Sequence, residues 1–237
     1  MDTTQTTPTP RPSVDALVFD AYGTLFDVQA LTAQCEAYWP GQGAAVSALW
    51  RGTQLEYSWL RSLMGRYADF ERITADALAH ACATLALPLS STQTARLVDA
   101  YRRLPVFAEV PAALAALGAR PGGPGRPCAI LSNGTPAMLA AVVDHAGLST
   151  AFSTILSVDA LRIYKPSPRV YRHAAERLGL PPERLGFVSA NGWDISGAQA
   201  CGLQTFWINR RHVPPERLGA APDHTLASLE ELASLLA

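Results

Sequence analysis

Residues 18–27 of the chain read VFDAYGTLFD. This stretch continues an apolar run that begins at Val14, and such a run, followed by Gly23, predicts a buried β-strand that ends in a turn. Asp20 then follows the carboxyl end of the strand, where parallel α/β sheets place their ligands. A carboxylate in that position is a candidate covalent nucleophile, because water can later cleave the ester that it forms.

Beyond Glu109 the sequence alternates between strand and helix patterns. Apolar runs predict strands at residues 128–131, 154–156, 185–189 and 205–208. Helical patterns separate these runs, and several of them begin at a proline or end at a glycine. This alternation predicts an α/β fold with a doubly wound, Rossmann-like parallel sheet and right-handed crossovers.

Residues 28–109, between the first strand and this alternation, form an almost continuous helical pattern. We therefore expect a helical cap subdomain that is inserted into a core made of residues 14–27 and 110–237. Within the cap, a single helix is predicted from Leu49 to Phe70. Its wide apolar face is typical of bundle packing, of a substrate pocket or of contact with a second subunit, and we expect a homodimer. The residues expected at that dimer surface are Trp59, Leu60, Leu63 and Met64.

The composition excludes several classes of protein. Of the 237 residues, 49% are hydrophobic. The 19 basic and 20 acidic residues give a net charge of −1. This balance indicates neither nucleic acid nor an anionic membrane surface as a partner. Residues 1–13 are polar and rich in Pro and Thr, without the apolar centre of a signal peptide, which predicts a disordered leader. The four cysteines form no CxxC pair, as is typical of reduced thiols. The N-terminal residues and the cysteines together favour a cytoplasmic protein, and no segment is apolar enough to predict a transmembrane helix.

Polar clusters follow the predicted strands at the point where each strand ends. Asp20 follows the first strand, Ser132 and Asn133 follow the second, Lys165 lies beyond the third, and residues 189–194 follow the fourth. Each cluster alone is typical of a turn or a helix cap. Because the carboxyl ends of parallel strands meet at one edge of a sheet, together they predict one site.

These loops, in this order, match the motifs of the haloacid dehalogenase superfamily, and the chain resembles its L-2-haloacid dehalogenases. The segments that carry the resemblance are residues 20–28, 47–51, 54–57, 59–64, 130–134, 164–166, 169–171 and 207–210. The similarity extends from about Val14 to Leu236 and includes the cap. The sequence departs from the pattern at Gly52, where a polar side chain is usual, at Ala190, and in the Gly/Pro-rich stretch 120–127.

The resemblance implies an enzyme that hydrolyses L-2-haloalkanoic acids to D-2-hydroxyalkanoic acids, with inversion and through an ester on Asp20. No cofactor or metal takes part in this reaction. The implied catalytic residues are Asp20, Thr24, Arg51, Lys165, Ser189, Asn191 and Asp194. The implied substrate contacts are Tyr22, Arg51, Leu55, Phe70, Ser132, Asn133, Tyr171 and Trp193.

The resemblance also implies a role for each group. Thr24 and Lys165 hold Asp20, since a nearby ammonium favours the charged form of a carboxylate. Arg51, with Asn191 nearby, receives the halide, because a guanidinium is always charged and weakly hydrated. Asp194 is the expected base or anchor for the hydrolytic water.

Two further functions remain open at this point. The first is a magnesium-dependent phosphatase of the same superfamily, in which Asp20 and Asp194 would offer oxygen ligands to the metal. Most of these phosphatases carry a second Asp two residues after the first, and Tyr22 stands at that position here. The second is a binding protein without activity, since a fold alone does not define a function.

Overall fold

A computed structural model describes residues 12–119 and 125–237 of the chain. The strands are β1 (Ala16–Phe19), β2 (Cys128–Ser132), β3 (Thr154–Ser157), β4 (Leu185–Ser189), β5 (Gln204–Ile208) and β6 (His224–Leu226). They form one parallel sheet in the order β3-β2-β1-β4-β5-β6, which confirms the predicted doubly wound α/β fold. The short edge strand β6 was not predicted. Most of the predicted leader, and residues 120–124 of the Gly/Pro-rich stretch, lie outside the described residues.

The helices divide into two groups along the chain. Between β1 and the rest of the sheet lie α1 (Leu31–Tyr38), α2 (Gly43–Leu63), α3 (Phe70–Thr84) and α4 (Ser91–Ala100). The remaining helices are α5 (Val110–Gly118), α6 (Pro136–His145), α7 (Pro168–Leu178), α8 (Gly192–Gln199) and α9 (Leu229–Leu236). In the part of the chain that the structure describes, no helix is both long and apolar enough to cross a membrane.

The single helix predicted from Leu49 to Phe70 is wrong, because the chain breaks between α2 and α3. Gly65 has a φ of +64°, a left-handed conformation that glycine adopts without strain and that ends the first helix. Asp69 then caps α3, since its side chain accepts a hydrogen bond from a backbone N–H of the first turn. The break directs Phe70 into the core, where it is 1% exposed.

The register of the sheet explains why the polar loops converge. Phe19, the last residue of β1, lies opposite Ile130 of β2 and Val188 of β4. The residues that follow these positions therefore emerge side by side at the carboxyl edge of the sheet. Because β1 lies between β2 and β4, Asp20 stands at the centre of that edge.

The chain leaves the core and returns to it through two adjacent segments. Asp27 N donates to Pro105 O at 2.8 Å, and Phe107 N donates to Leu25 O at 3.1 Å. These hydrogen bonds join the two chain segments to each other, and the helices α1–α4 lie between the two segments in the sequence.

Candidate active site

The Asp20 carboxylate is buried and is held by three donor side chains. Oδ2 accepts hydrogen bonds from Thr24 Oγ1 at 2.8 Å and from Asn191 Nδ2 at 2.9 Å, and Oδ1 accepts one from Lys165 Nζ at 3.1 Å. The donors come from three different loops at the carboxyl edge of the sheet, where the polar clusters at the strand ends were expected to meet. Together they fix the orientation of the carboxylate, which favours nucleophilic attack in one direction.

Thr24 is itself oriented by the loop that follows β4. Its Oγ1 accepts a hydrogen bond from Ala190 N at 2.9 Å while its hydroxyl donates to Asp20. Only the main chain of residue 190 makes this contact. The alanine at this position, a departure from the family pattern, therefore leaves the support of Asp20 intact.

Lys165 lies between two carboxylates in the interior of the site. Its Nζ is 3.1 Å from Asp20 Oδ1 and 2.9 Å from Asp194 Oδ2, and its side chain is fully buried. Burial alone would lower the pKa of Lys165, but the charges of Asp194 and Asp20 outweigh burial and raise it. Lys165 therefore remains an ammonium and supplies positive charge beside Asp20.

Asp194 lies behind Lys165 and is fully buried. Besides the lysine, its Oδ2 accepts a hydrogen bond from Ser189 Oγ at 3.3 Å, and its Oδ1 accepts one from Tyr171 OH at 2.6 Å. Burial raises the pKa of Asp194 to about 6, and the Lys165 charge acts in the opposite direction.

Tyr171, which we predicted as a substrate contact, lies on the far side of Asp194. Its hydroxyl bonds to Asp194, and the residue is 0% exposed. Its place in the site is therefore to support Asp194.

A small, partly open cavity lies next to Asp20. Its lining residues are Asp20, Tyr22, Arg51, Leu55, Phe70, Ser132, Asn133, Asn191 and Trp193. All of the predicted substrate contacts except Tyr171 are among them. The cavity combines polar groups from the core with apolar and cationic groups from α2 and α3.

The apolar wall of the cavity is built from packed aromatic rings. The rings of Tyr22 and Phe70 stack at a centroid distance of 6.0 Å, and Tyr101 meets Tyr22 edge-on at 5.6 Å. Trp193 packs edge-on against Trp59 of α2 at 5.4 Å. Burial raises the pKa of Tyr22 far above its usual value, so its hydroxyl is neutral. This wall suits a short alkyl group and excludes water.

Ser132 and Asn133 present hydrogen-bond donors to the cavity. Asn133 Oδ1 accepts a hydrogen bond from Lys165 N at 3.1 Å, which leaves the amide N–H groups of Asn133 for a ligand. Ser132 Oγ accepts a hydrogen bond from Gly134 N at 3.2 Å, so its hydroxyl proton is also available. Two such donors in one corner are suited to a carboxylate.

Arg51 reaches the cavity from α2. Its Nη1 donates to Gln54 Oε1 at 2.7 Å, and its Nη2 contacts Tyr22 O at 3.4 Å. Sequence reasoning assigned no role to Gln54. The available signal was its spacing, because residues three apart lie on the same face of a helix.

The positive charge between the two carboxylates of this site comes from a lysine. The ammonium of Lys165 bonds to both Asp20 and Asp194, the two carboxylates that a phosphatase would use as metal ligands. Among residues 12–119 and 125–237, no group of three or more His, Cys, Asp or Glu side chains could hold a metal ion.

The fold and the site define a class of protein, namely one with a Rossmann-like core and a buried aspartate held by three donors at the carboxyl edge of its sheet. Residues 14–202 match the family described as haloacid dehalogenase-like hydrolase. The chain therefore belongs to this family, which confirms the resemblance inferred from the motifs.

Within this family, the chain is similar to several proteins named as 2-haloacid dehalogenases. The chain is 46% identical over 222 residues to the (S)-2-haloacid dehalogenase of Pseudomonas sp. (strain YL), a match that covers 94% of each chain. It is also similar to a solved L-2-haloacid dehalogenase, with 45% identity, a TM-score of 0.90 and coverage of 94% of this chain and 99% of the other. A third relative is the L-2-haloacid dehalogenase from Xanthobacter autotrophicus with chloropropionic acid covalently bound (39% identity, TM-score 0.87, coverage 94% and 98%).

Proposed function

We propose that this protein is an (S)-2-haloacid dehalogenase, which hydrolyses L-2-haloalkanoic acids to D-2-hydroxyalkanoic acids and halide. The observation that carries the proposal is the Asp20 carboxylate, held by three donors at the wall of a small cavity that also contains a guanidinium. The relative with covalently bound chloropropionic acid supports the same chemistry. The phosphatase alternative is not favoured by these relatives.

In the first step, a carboxylate oxygen of Asp20 attacks carbon 2 of the substrate from the side opposite the halogen. A carbon–oxygen bond forms, and the halide leaves with the electron pair of the carbon–halogen bond, so the configuration at carbon 2 inverts. Ser132 and Asn133 bind the substrate carboxylate, and the Arg51 guanidinium stabilises the departing halide.

In the second step, water attacks the carbonyl carbon of the Asp20 ester. The bond between this carbon and the substrate oxygen breaks, which releases the D-2-hydroxy acid and restores the carboxylate. We assign removal of one water proton to Lys165 and Asp194 together: Lys165 passes one of its protons to Asp194 as it accepts one from the water, so it stays an ammonium. The second water proton ends on the oxygen of the departing hydroxy acid. Asp194 does not line the cavity, so it acts through the lysine that it holds beside Asp20.

We further propose that residues 28–109 act as a cap that closes over the bound acid. The paired segments around Asp27 and Pro105 provide a narrow connection to the core. A contact between Tyr67 OH and Asp159 Oδ1 at 2.7 Å joins the cap to the core at another point.

The stereochemistry of the product tests this function. We expect L-2-chloropropionate to be converted to D-lactate with release of chloride, and the D enantiomer to be a poor substrate. Only one displacement occurs at carbon 2, so the configuration should invert. Chiral chromatography of the lactate provides the measurement, with a phosphate monoester as the control substrate. L-lactate or a racemic product would contradict attack by Asp20.

We also propose that the protein forms a homodimer through the exposed apolar surface of α2. Leu60 is 43%, Leu63 83% and Met64 62% exposed, and adjacent large apolar side chains of this kind are typical of an interface. Light scattering at micromolar concentration should give the mass of a dimer, and Leu63→Glu should shift it towards the monomer. A monomer mass for the unmodified protein would reject this proposal.

A cytoplasmic location is proposed from the cysteines. All four are free thiols, and Cys35, Cys82 and Cys128 are buried. Such thiols persist most readily in a reducing compartment.

A further inference from the structure

Gln54 is a fully buried amide that is joined at both ends to other side chains. Its Oε1 accepts a hydrogen bond from Arg51 Nη1 at 2.7 Å, and its Nε2 donates to Thr74 Oγ1 of α3 at 2.7 Å. Because an arginine can only donate, this contact fixes which end of the amide faces Arg51. The amide therefore has one orientation that satisfies both neighbours.

The hydrogen bonds that begin at Arg51 continue to the backbone of a cavity residue. Thr74 Oγ1 donates to Phe70 O at 2.6 Å, so Thr74 can accept from Gln54 but cannot donate to it. Guanidinium, amide and hydroxyl thus donate in one direction, and hydrogen bonds in such a chain strengthen one another. The chain connects α2, which carries Arg51, to the first turn of α3, which carries Phe70.

The remaining contacts of Arg51 show why its orientation depends on Gln54. Within the described residues, the other hydrogen bond of its guanidinium is the long contact of 3.4 Å to Tyr22 O. A guanidinium has five N–H donors, so most of them remain for a ligand in the cavity that Arg51 lines. An arginine side chain also has many rotamers and tends to direct its charge towards water. The short bond to Gln54 is what opposes this tendency.

We propose that Gln54 is a positioning residue for departure of the halide, and that it acts by fixing the Arg51 guanidinium against the cavity. This inference rests on the proposed dehalogenase function. Gln54 does not line the cavity. Its Oε1 also accepts a hydrogen bond from Tyr101 OH, but at 3.4 Å this contact is much longer than the 2.7 Å bond from Arg51, so the main effect of Gln54 on the reaction passes through Arg51.

The variant Gln54→Met tests the proposal, because it preserves the approximate volume of the side chain and removes its hydrogen bonds with Arg51, Thr74 and Tyr101. We expect kcat for L-2-chloropropionate to fall by roughly 10- to 100-fold, as for a catalytic group displaced by about 1 Å. The loss for L-2-bromopropionate should be smaller, because bromide is the better leaving group and needs less stabilisation. Inhibition by added chloride should also weaken.

Ser58→Ala is the matched control. Ser58 is also buried in α2, and its hydroxyl bonds to Leu55 O of the same helix. This variant should leave the ratio of the chloride and bromide rates unchanged. If Gln54 were purely structural, Gln54→Met would lower both rates by the same factor, and an unchanged ratio would overturn the inference.

Two further measurements keep the test decisive. Arg51→Ala and the double variant Arg51→Ala/Gln54→Met should have the same rate, since Gln54 has no role without Arg51, whereas multiplying losses would contradict the proposal. If Gln54→Met does not fold, Thr74→Val provides a second test, because it removes the partner of Gln54 Nε2. This variant should change the ratio of the chloride and bromide rates in the same direction. An unchanged ratio would again overturn the inference. Failure of the unmodified protein to release halide would instead reject the proposed function.

Discussion

The Asp20→Asn variant is expected to release chloride from L-2-chloropropionate at least about a thousandfold more slowly than the unmodified protein. An amide nitrogen is not a nucleophile at neutral pH, so no ester can form. The amide would also face Lys165, Thr24 and Asn191, which all donate hydrogen bonds to the carboxylate in the native site. The NH2 group of the new side chain would therefore face one of these hydrogen-bond donors, and neither group could accept. Halide release and intact-protein mass spectrometry provide the measurements.

Asp27→Asn is the control for this experiment. Asp27 lies in the same loop, and its carboxylate caps a short helical turn by accepting a hydrogen bond from Gln29 N at 2.8 Å. Asparagine caps helices about as well as aspartate, so the rate should stay within about twofold. Retention of more than about a tenth of the native rate by Asp20→Asn would exclude Asp20 as the nucleophile.

The main features of the fold were predictable because they depend on strong local patterns. Buried parallel strands are continuous apolar runs, and β1, β2, β4 and β5 were all identified in this way. The short edge strand β6 was missed, since three residues at an edge carry no such run. The break after α2 was missed because the apolar spacing continues across it. Gly65 and Asp69 were the local signals that indicated the break.

The positions of the site residues were predictable to the level of which loop each occupies. Sheet topology brings Asp20, Ser132 and Asn191 to one edge, and this follows from the order of the elements. The order of the elements does not determine how far each side chain lies from the cavity. Tyr171 was expected to contact the substrate and Asp194 to act on the hydrolytic water, whereas α7 and α8 pack both residues behind Lys165. Such layering depends on side-chain packing between helices, which a single sequence does not encode in any local pattern.

The arrangement of charges in the site separates the two halves of the proposed reaction. Arg51 lies on α2 and is hydrogen-bonded within that helix, and in the proposed mechanism its charge acts while the carbon–halogen bond breaks. Asp194 is on the core side, and its charge reaches Asp20 only through Lys165. Loss of Arg51 should therefore slow formation of the ester, whereas loss of the Asp194 charge should slow its hydrolysis.

The corresponding variants make opposite predictions for the covalent intermediate. Asp194→Asn should still form the ester and then stall, so that mass spectrometry after mixing with L-2-chloropropionate shows an added carboxyethyl group on the peptide that contains Asp20. Arg51→Ala should show no such adduct, because its slow step comes first, and its rate should fall by about 10²- to 10³-fold, as for loss of a group that stabilises developing charge. Ser58→Ala serves as the control that turns over without an adduct. A strong adduct with Arg51→Ala, or none with Asp194→Asn, would contradict the assignment of the two residues to separate steps.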